Sequence, residues 1–410
     1  MYDVYKIREQ FPMLKNQKYM QGKPLVFLDN ASTTFKPQCV IDAITKYYTE
    51  MTSNSHRGDY DLCYNMDVEI QKTREAIARF VNCDSREVVF TAGDTMSLNL
   101  IAYGYGRKFL KPGDEVVLSY AEHSSDILPW YQVCNEIGAV VKFIPLSEKG
   151  EILPQNLDIV MSERTKIVSI ANVGNVLGIT ANIKGLTAVA HKYGAIMVVD
   201  GAQSVPHNKT DFKDWDVDLL TFSAHKMCGP TGIGCLVGKY SVLEAMDPFI
   251  VGGGNNVTFG TSQDVEYLNP PFKFEAGTQH LAGIMGFRAA VEFIESIGIE
   301  EIHKHDEELF DYAMSRLQKL DNVILYNETA RGGVIPFNVK GVFAQDEATL
   351  LNSKGIAVRS GQHCAKILNG FLKTAATCRM STYLYTTKEE IDALVDALQA
   401  GGDILDAYFN

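Results

Sequence analysis

The 410-residue chain has few cysteines, no long apolar run and no excess of positive charge. Its 8 cysteines are too dilute for a disulfide scaffold, and no two have Cys-x-x-Cys spacing, so we expect no zinc or iron–sulfur site carried by the chain. Because no run of about 18 apolar residues occurs, we expect no membrane-spanning helix. The 38 basic and 50 acidic side chains give a net charge of −12, which argues against a nucleic-acid partner.

The start of the chain also lacks the apolar core of a signal peptide, which predicts a cytoplasmic protein. Apolar residues make up 46% of the chain and charged residues 21%, the balance of an ordinary globular protein, so extensive disorder is not expected. The length suggests two domains that share an interface.

Short apolar runs alternate with amphipathic stretches through the middle of the sequence. Buried strands are predicted at residues 115–119, 139–144, 165–170, 195–199 and 219–222. A helix is predicted at residues 183–193. This alternation predicts an α/β domain with a mostly parallel sheet and helices on both faces, spanning residues 22–265.

The rest of the chain, residues 1–21 and 266–410, predicts a smaller α+β domain. Two helices and a strand are predicted at residues 283–297, 301–320 and 333–338. Thr387 and Glu390 have the spacing of a capping box, which predicts the start of a C-terminal helix. A helix near residues 3–12 is expected to join this domain.

Two strand ends carry an acid and an amine that suit a pyridine cofactor. Asp200 follows the strand at 195–199, and Lys226 follows the strand at 219–222. In open α/β sheets this end of the strands faces the ligand, so the acid could hold a ring nitrogen protonated while a buried lysine forms a Schiff base. Pyridoxal phosphate requires that arrangement. Taken singly, Asp200 also fits a helix N-cap, and Lys226 a solvated surface amine.

A cradle for a phosphate is predicted where the strand at 87–90 leads into Gly93. A glycine turn that opens a helix presents free N–H groups to an anion, and the hydroxyl of Thr95 could add to them. A helix capped without a ligand is the alternative. His123 also follows a strand end and could stack on a ring, although a lone histidine is more often structural. The Gly-rich segment 229–240 matches neither dinucleotide-binding nor Walker spacing.

Together these residues resemble the class V aminotransferases, which are fold-type I pyridoxal phosphate enzymes, and within them the group II cysteine desulfurases of the Suf type. The resemblance rests on ordered motifs at residues 28–34, 54–58, 174–178, 223–226, 274–278, 359–365 and 378–381. It implies a large, mostly parallel sheet of the seven-stranded type and a smaller α+β domain that carries a catalytic cysteine loop.

The resemblance also implies roles for individual residues. Lys226 would form the Schiff base and move the α-proton, Asp200 would pair with the ring nitrogen, and His123 would stack on the ring and shuttle a proton during C–S cleavage. The other contacts would be made to the phosphate by Thr95, Ser223 and His225, to the ring hydroxyl by Gln203, and to the substrate and its carboxylate by Asn175, Arg359 and Arg379.

Cys364 and Thr278 complete the implied site. Cys364 follows a Gly-containing loop with nearby positive charge, which favours the thiolate. The resemblance implies that this thiolate takes the sulfur of L-cysteine as a persulfide and releases alanine, and that an acceptor protein carries the sulfur to iron–sulfur cluster assembly. Thr278 would reach the phosphate of a neighbouring subunit, which implies a homodimer.

The chain departs from the family pattern at Asp94, where the family usually has threonine. A carboxylate beside a phosphate is unfavourable unless it points away or is protonated. Two alternatives stay open. One is a selenocysteine lyase or another class V lyase in which Cys364 is dispensable. The other is a homologue that binds the cofactor or a partner without turnover, which only Asp94 supports.

Overall fold

Seven strands form the larger sheet of the computed structural model, and its central strands are buried on both faces. They are β1 Val88–Thr91, β2 Glu115–Ser119, β3 Val140–Ile144, β4 Thr165–Ala171, β5 Ile196–Asp200, β6 Leu219–Ser223 and β7 Gly234–Gly238. The order is β1-β7-β6-β5-β4-β2-β3, with β7 antiparallel to both neighbours and the other pairs parallel. The predicted α/β fold with a mostly parallel sheet of seven strands is confirmed.

The structure describes residues 2–55, 58–327, 330 and 332–402, so His56 and Arg57 of the motif at 54–58 lie outside it. Helices up to and around the large sheet are Val4–Arg8, Pro12–Lys15, Gln38–Glu50, Asp61–Val81, Asp94–Ile101, Arg107–Phe109, Ser124–Ile137, Pro154–Val160, Ile183–Lys192, Phe212–Trp215, Tyr240–Ala245 and Leu281–Ile297. Across these described ranges, no helix is both long enough and apolar enough to cross a membrane.

A second, antiparallel sheet forms the core of the C-terminal part. Its strands are β8 Val323–Leu325, β9 Val334–Val339, β10 Arg359–Gly361 and β11 Thr377–Ser381, in the order β8-β9-β11-β10. The helices here are Ile299–Leu317, Ala344–Ser353, Leu368–Leu372 and Lys388–Ala400. The remaining strands of the described residues form three two-stranded pairs: Tyr19–Met20 with Lys23–Pro24, Val26–Phe27 with Ile356–Ala357, and Asn256–Phe259 with Val265–Tyr267.

The ends of the chain show one confirmed prediction and one correction. The capping box is present, because Thr387 Oγ1 accepts from the Glu390 N–H and the Glu390 carboxylate accepts from the Thr387 N–H. The single helix predicted at residues 3–12 is wrong: the structure has two short helices, Val4–Arg8 and Pro12–Lys15. Proline lacks the N–H that would continue the first helix, so Pro12 begins a new one.

The helix Leu281–Ile297 packs on the large-sheet part of the molecule. It lies against the helix Gln38–Glu50, and its buried residues share one apolar cluster with residues of the large sheet. The division of the chain at residue 265 stays a prediction, and the packing of this helix favours a boundary nearer to Gly298.

Candidate active site

Strands β1, β2, β4, β5 and β6 run in the same direction and end at one edge of the large sheet. The segments that follow them line a cavity of about 200 Å³. Open α/β sheets bind ligands at this edge. Most of the predicted site residues line the cavity: Thr95, His123, Asn175, Asp200, Gln203, Ser223, His225, Lys226, Arg359 and Arg379. Cys364 and Thr278 do not line it.

The predicted acid and amine come from adjacent strands of the sheet. Asp200 is the last residue of β5 and is buried, and its Oδ1 accepts from the Ala202 N–H at 2.8 Å. Lys226 ends the short turn that follows β6. Burial lowers the pKa of Lys226, whereas Asp200 and Asp94 act to raise it. Its Nζ has no hydrogen-bond or ion-pair partner in the described part of the chain, so the amine is available to react.

The predicted phosphate cradle is built on the start of the helix Asp94–Ile101. Gly93 has φ 142°, a conformation that favours glycine, and the Asp94 N–H donates to Ser223 Oγ at 2.7 Å. The Thr95 hydroxyl lies 2.8 Å from Ser125 Oγ. N–H groups of the first helical turn have no partner within the helix, so they and these hydroxyls can bind an anion.

Two histidines of the cavity are held neutral by burial. His123 caps the helix Ser124–Ile137, because its Nδ1 accepts from the Ser125 N–H at 3.1 Å. Burial lowers the pKa of His123, so the neutral ring carries its proton on Nε2. Burial lowers the pKa of His225 to about 4, and the nearby amines of Lys226 and Lys36 also lower it.

Two arginines lie side by side on the small-sheet wall of the cavity. Arg359 of β10 and Arg379 of β11 are paired across the strands, and Arg379 is 1% exposed. Arg379 donates to the Asn175 carbonyl at 2.9 Å and to Asp29 Oδ1 at 3.0 Å. Ser32 Oγ accepts from both guanidinium groups, at 3.1 Å from Arg359 and 2.9 Å from Arg379. Paired guanidinium groups suit a carboxylate ligand.

Cys364 lies at the edge of the cavity on the loop that follows β10. Its side chain is exposed, its φ is 57°, and its Sγ lies 3.8 Å from Nη2 of Arg359. The loop is docked on two sides. The Cys364 carbonyl accepts from Ser124 N and Oγ, each at 2.7 Å, and the His363 carbonyl accepts from Asn175 Nδ2 at 2.7 Å. The thiol is therefore fixed beside an arginine of the cavity wall.

Thr278 lies apart from Lys226 within the single chain. It is exposed and lines a separate cavity of about 560 Å³, together with residues that include Asn54, Ser55 and Phe259. The cavity of Lys226 therefore contains no side chain from the motif at 274–278 of the same chain. The predicted contact between Thr278 and a partner subunit stays a prediction.

Several side chains that the sequence interpretation did not assign are part of the site. Asp29 and Ser32 hold the two arginines, although only their motif was recognised. Glu122 is completely buried next to His123, where it accepts from the Ala171 N–H at 2.8 Å, and burial raises its pKa to about 8. Asp126 is also buried and accepts from Trp130 Nε1 at 3.2 Å. The sequence shows neither the burial of these two acids nor the contact of Asp29 and Ser32 with arginines from a distant segment.

The fold and the lysine–aspartate pair at the ends of β5 and β6 define a fold-type I pyridoxal phosphate enzyme. The chain belongs to the Aminotransferase class-V family, whose sequence model matches residues 26–394, and this family uses pyridoxal phosphate. The residues present fit that cofactor. The Lys226 amine has no partner within the described chain, and the Asp200 carboxyl lines the cavity, where it can bind a ring nitrogen. The helix Asp94–Ile101, with Gly93 as its N-cap, begins at the cavity and can bind the phosphate.

Cysteine desulfurases are among the similar proteins. The chain is 44% identical over 398 residues to a probable cysteine desulfurase of Halalkalibacterium halodurans, with 97% of each chain covered. Its structure is similar to that of the cysteine desulfurase CsdA of Escherichia coli, with a TM-score of 0.90, 32% identity and 99% of each chain covered. The apo cysteine desulfurase of Thermococcus onnurineus NA1 gives a TM-score of 0.92 at 31% identity, with 98% of each chain covered.

Proposed function

We propose that the protein is a pyridoxal phosphate-dependent cysteine desulfurase, which converts L-cysteine to L-alanine and holds the sulfur as a persulfide on Cys364. The observation that carries the proposal is the position of the Cys364 thiol, 3.8 Å from Arg359, whose side chain lines the same cavity as Lys226. The similarity to cysteine desulfurases over nearly the whole chain supports the same activity.

The arginine pair binds the substrate in this proposal. A free amino acid carries a carboxylate, and the guanidinium groups of Arg359 and Arg379 face the cavity with Ser32 between them. Arg379 is fixed by the Asn175 carbonyl and Asp29, so its orientation is set before the substrate arrives. Binding the carboxylate here would place the substrate sulfur toward the Cys364 loop.

Lys226, Asp200 and His123 handle protons around the substrate. Pyridoxal phosphate, when bound, supplies an electron sink for bond cleavage at the substrate Cα. The Asp200 carboxylate would keep the ring nitrogen protonated. Burial lowers the pKa of Lys226, which leaves more of its amine neutral and able to accept the α-proton. The proton on Nε2 of His123 is available for transfer during C–S cleavage.

Cys364 takes the sulfur. Its thiolate attacks the substrate sulfur, so an S–S bond forms as the Cβ–S bond breaks. The electron pair of the broken bond stays with the carbon fragment, which gains a proton at Cβ and leaves as alanine. The overall change needs no external oxidant or reductant. Nη2 of Arg359 lies 3.8 Å from Cys364 Sγ, so the reacting sulfur is held beside an arginine of the cavity wall.

The test is to measure alanine and sulfide produced from L-cysteine in the presence of a thiol reductant. We expect the native protein to be yellow and to form both products. Lys226→Ala should lose the colour and the activity. Cys364→Ser should keep the colour and lose sulfide release, whereas Cys39→Ser, which changes another exposed cysteine, should behave as the native protein.

Three results would count against this function. Normal sulfide release by Cys364→Ser would contradict the assigned nucleophile, and retained selenide release from selenocysteine by that variant would support a lyase. A native protein that binds the cofactor without turnover would support the non-catalytic alternative.

We further propose that the sulfur passes to an acceptor protein for iron–sulfur cluster assembly. The Cys364 side chain is exposed on its loop, so a persulfide there can reach the thiol of another protein. All 8 cysteines of the chain are free, which fits a reducing compartment such as the cytoplasm. Transfer of labelled sulfur from the loaded protein to a purified acceptor would test this step.

We also propose a homodimer. Exposed large apolar side chains cluster in the segment 249–272, and they include Val251, Val257, Phe259 and Val265. A concentration of this kind is typical of a protein–protein interface. The separate cavity that Thr278 lines also contains Phe259, so a second subunit seated on this segment would lie beside Thr278.

A further inference from the structure

Asp94 is a carboxyl group in the cavity that the proposed mechanism does not use. It lines the same cavity as Lys226 and Asp200 and is only 8% exposed. Its Oδ1 is fully enclosed and has no hydrogen-bond partner within normal distance among the described residues. An ionised carboxylate without a partner is costly to bury, so this side chain needs an explanation.

The groups around Asp94 come from three strands of the large sheet. The carboxyl group of Asp200 at the end of β5 and the amine of Lys226 after β6 act on the pKa of Asp94 in opposite directions. Thr221 of β6 offers a hydroxyl that is itself buried and unpartnered within the described chain, and the buried thiol of Cys235 on β7 lies nearby. Burial and then Asp200 raise the pKa of Asp94 to about 7, against the opposing effects of Thr221 and Lys226.

The position of Asp94 in its helix decides what a bound phosphate would do to it. Asp94 is the first residue of the helix Asp94–Ile101, so the positive end of the helix favours its ionised form. A phosphate held by the same first turn would use those N–H groups and would place additional negative charge beside the carboxyl. Both effects disfavour the carboxylate.

We propose that Asp94 takes up a proton when a phosphate-bearing cofactor binds, so that the carboxyl is neutral in the loaded protein and cofactor affinity depends on pH. This inference rests on the proposed cofactor site and extends it to a position at which the family usually has threonine. It also explains how the chain can have an aspartate at position 94, because a protonated carboxyl can lie beside a phosphate without repulsion.

The sign and size of the effect follow from linkage. The free protein releases the Asp94 proton as pH rises through about 7, whereas the loaded protein retains it to higher pH. Binding in that window therefore takes up one proton, and affinity falls by about tenfold per pH unit. Below the window Asp94 is neutral in both states and contributes no pH dependence.

The experiment measures the dissociation constant of pyridoxal phosphate between about pH 6 and about pH 9 for three cofactor-free proteins. These are the native protein, the near-isosteric Asp94→Asn, and the control Asp61→Asn. Asp61 also begins a helix, Asp61–Val81, but it is exposed and lies outside the cavity. Calorimetry in buffers of different ionisation enthalpy counts the protons taken up on binding.

We expect the native protein and Asp61→Asn to lose affinity with pH more steeply than Asp94→Asn, with close to one more proton taken up. Titration of the cofactor phosphate is common to all three proteins, so the difference isolates Asp94. The comparison is repeated with pyridoxamine 5'-phosphate, which carries the phosphate but cannot condense with Lys226. The same difference with this ligand would exclude an effect through Schiff-base formation by Lys226.

Equal pH slopes and equal proton uptake for the native protein and Asp94→Asn would overturn the inference. If Asp94→Asn does not fold, Asp94→Thr provides the same comparison with a smaller neutral side chain. Failure of the native protein to bind either ligand would contradict the cofactor site itself, and this inference with it, so the two failures are distinguishable.

Discussion

At the scale of single residues, the candidate site joins an amine, an acid and a thiol from three parts of the chain. Asp200 ends β5, Lys226 follows β6, and Cys364 lies on a loop after β10. The sequence interpretation found the first two because each stands directly after an apolar strand. It could not show that Arg359 would lie 3.8 Å from the thiol, because that contact depends on the conformation of the loop.

Buried acids behind the site give the first stability prediction. Glu122 is completely buried, and burial raises its pKa to about 8, so it is protonated in the folded protein at neutral pH. In the unfolded chain a glutamate ionises above about pH 4.3. The stability that Glu122 contributes is therefore complete below that pH and is lost as pH rises towards about 8.

Glu122→Gln should remove this pH dependence, since glutamine does not ionise. We expect the native protein to lose stability relative to Glu122→Gln by up to about 1.4 kcal/mol per pH unit within the window. Denaturant unfolding of the cofactor-free proteins at several pH values measures the difference. Parallel stability curves for the two proteins would show that Glu122 is not protonated in the folded state.

At the scale of elements, the parallel strands were predicted well because they are short, apolar and rich in β-branched residues. In the large sheet the sequence did not predict β7, Gly234–Gly238, which pairs antiparallel with both β1 and β6. Glycines are uncommon in strands, and those of this segment are also typical of nucleotide-binding loops. The pairing of β7 with β1 joins segments more than a hundred residues apart, and no local pattern reports such a contact.

The capping box at the C-terminal helix is a local feature that the sequence did predict. Thr387 Oγ1 accepts from the Glu390 N–H, and the Glu390 carboxylate also forms an ion pair with Arg8 at 2.9 Å. Thr387→Ala should therefore lower the free energy of unfolding by about 1 kcal/mol. Cofactor binding should be unchanged, because Thr387 lies outside the cavity.

Denaturant unfolding measures this effect, and Thr387→Ser serves as the control because serine keeps the capping hydroxyl. A stability loss of the same size in Thr387→Ser would show that the methyl group, and not the cap, stabilises this end of the helix.

At the scale of the whole molecule, the apolar segment 249–272 predicts the oligomeric state. Phe259 is 70% exposed, and neighbouring apolar side chains are exposed with it. Phe259→Glu together with Val251→Glu should convert a dimer to a monomer, because two charges would have to be buried at the interface. Sedimentation velocity of the native and variant proteins measures the change.

Ile159→Glu is the matched control, since Ile159 is at least as exposed as Phe259 but lies outside this segment. A native protein that sediments as a monomer would contradict the proposed homodimer. A double variant that remains dimeric would place the interface elsewhere.

The arrangement of the whole molecule also explains why the site was only partly predictable. Asp200, Lys226 and the phosphate cradle near Gly93 could be predicted because each directly follows a strand of the large sheet. The other wall is built by the small sheet, and its Arg379 is fixed by Asp29 and Asn175, which lie 350 and 204 positions away in the sequence. Motif resemblance identified the arginine, but only the folded chain shows what orients it.

The most direct measurement is the mass of the peptide that carries Cys364 after reaction with L-cysteine in the absence of a reductant. Trypsin cleavage after Arg359 and Lys366 releases residues 360–366, which contain Cys364 and no other cysteine. A persulfide at Cys364 predicts that this peptide gains one sulfur atom and that Lys226→Ala abolishes the gain. An unmodified peptide from protein that is producing alanine would contradict the assignment of Cys364 as the sulfur acceptor.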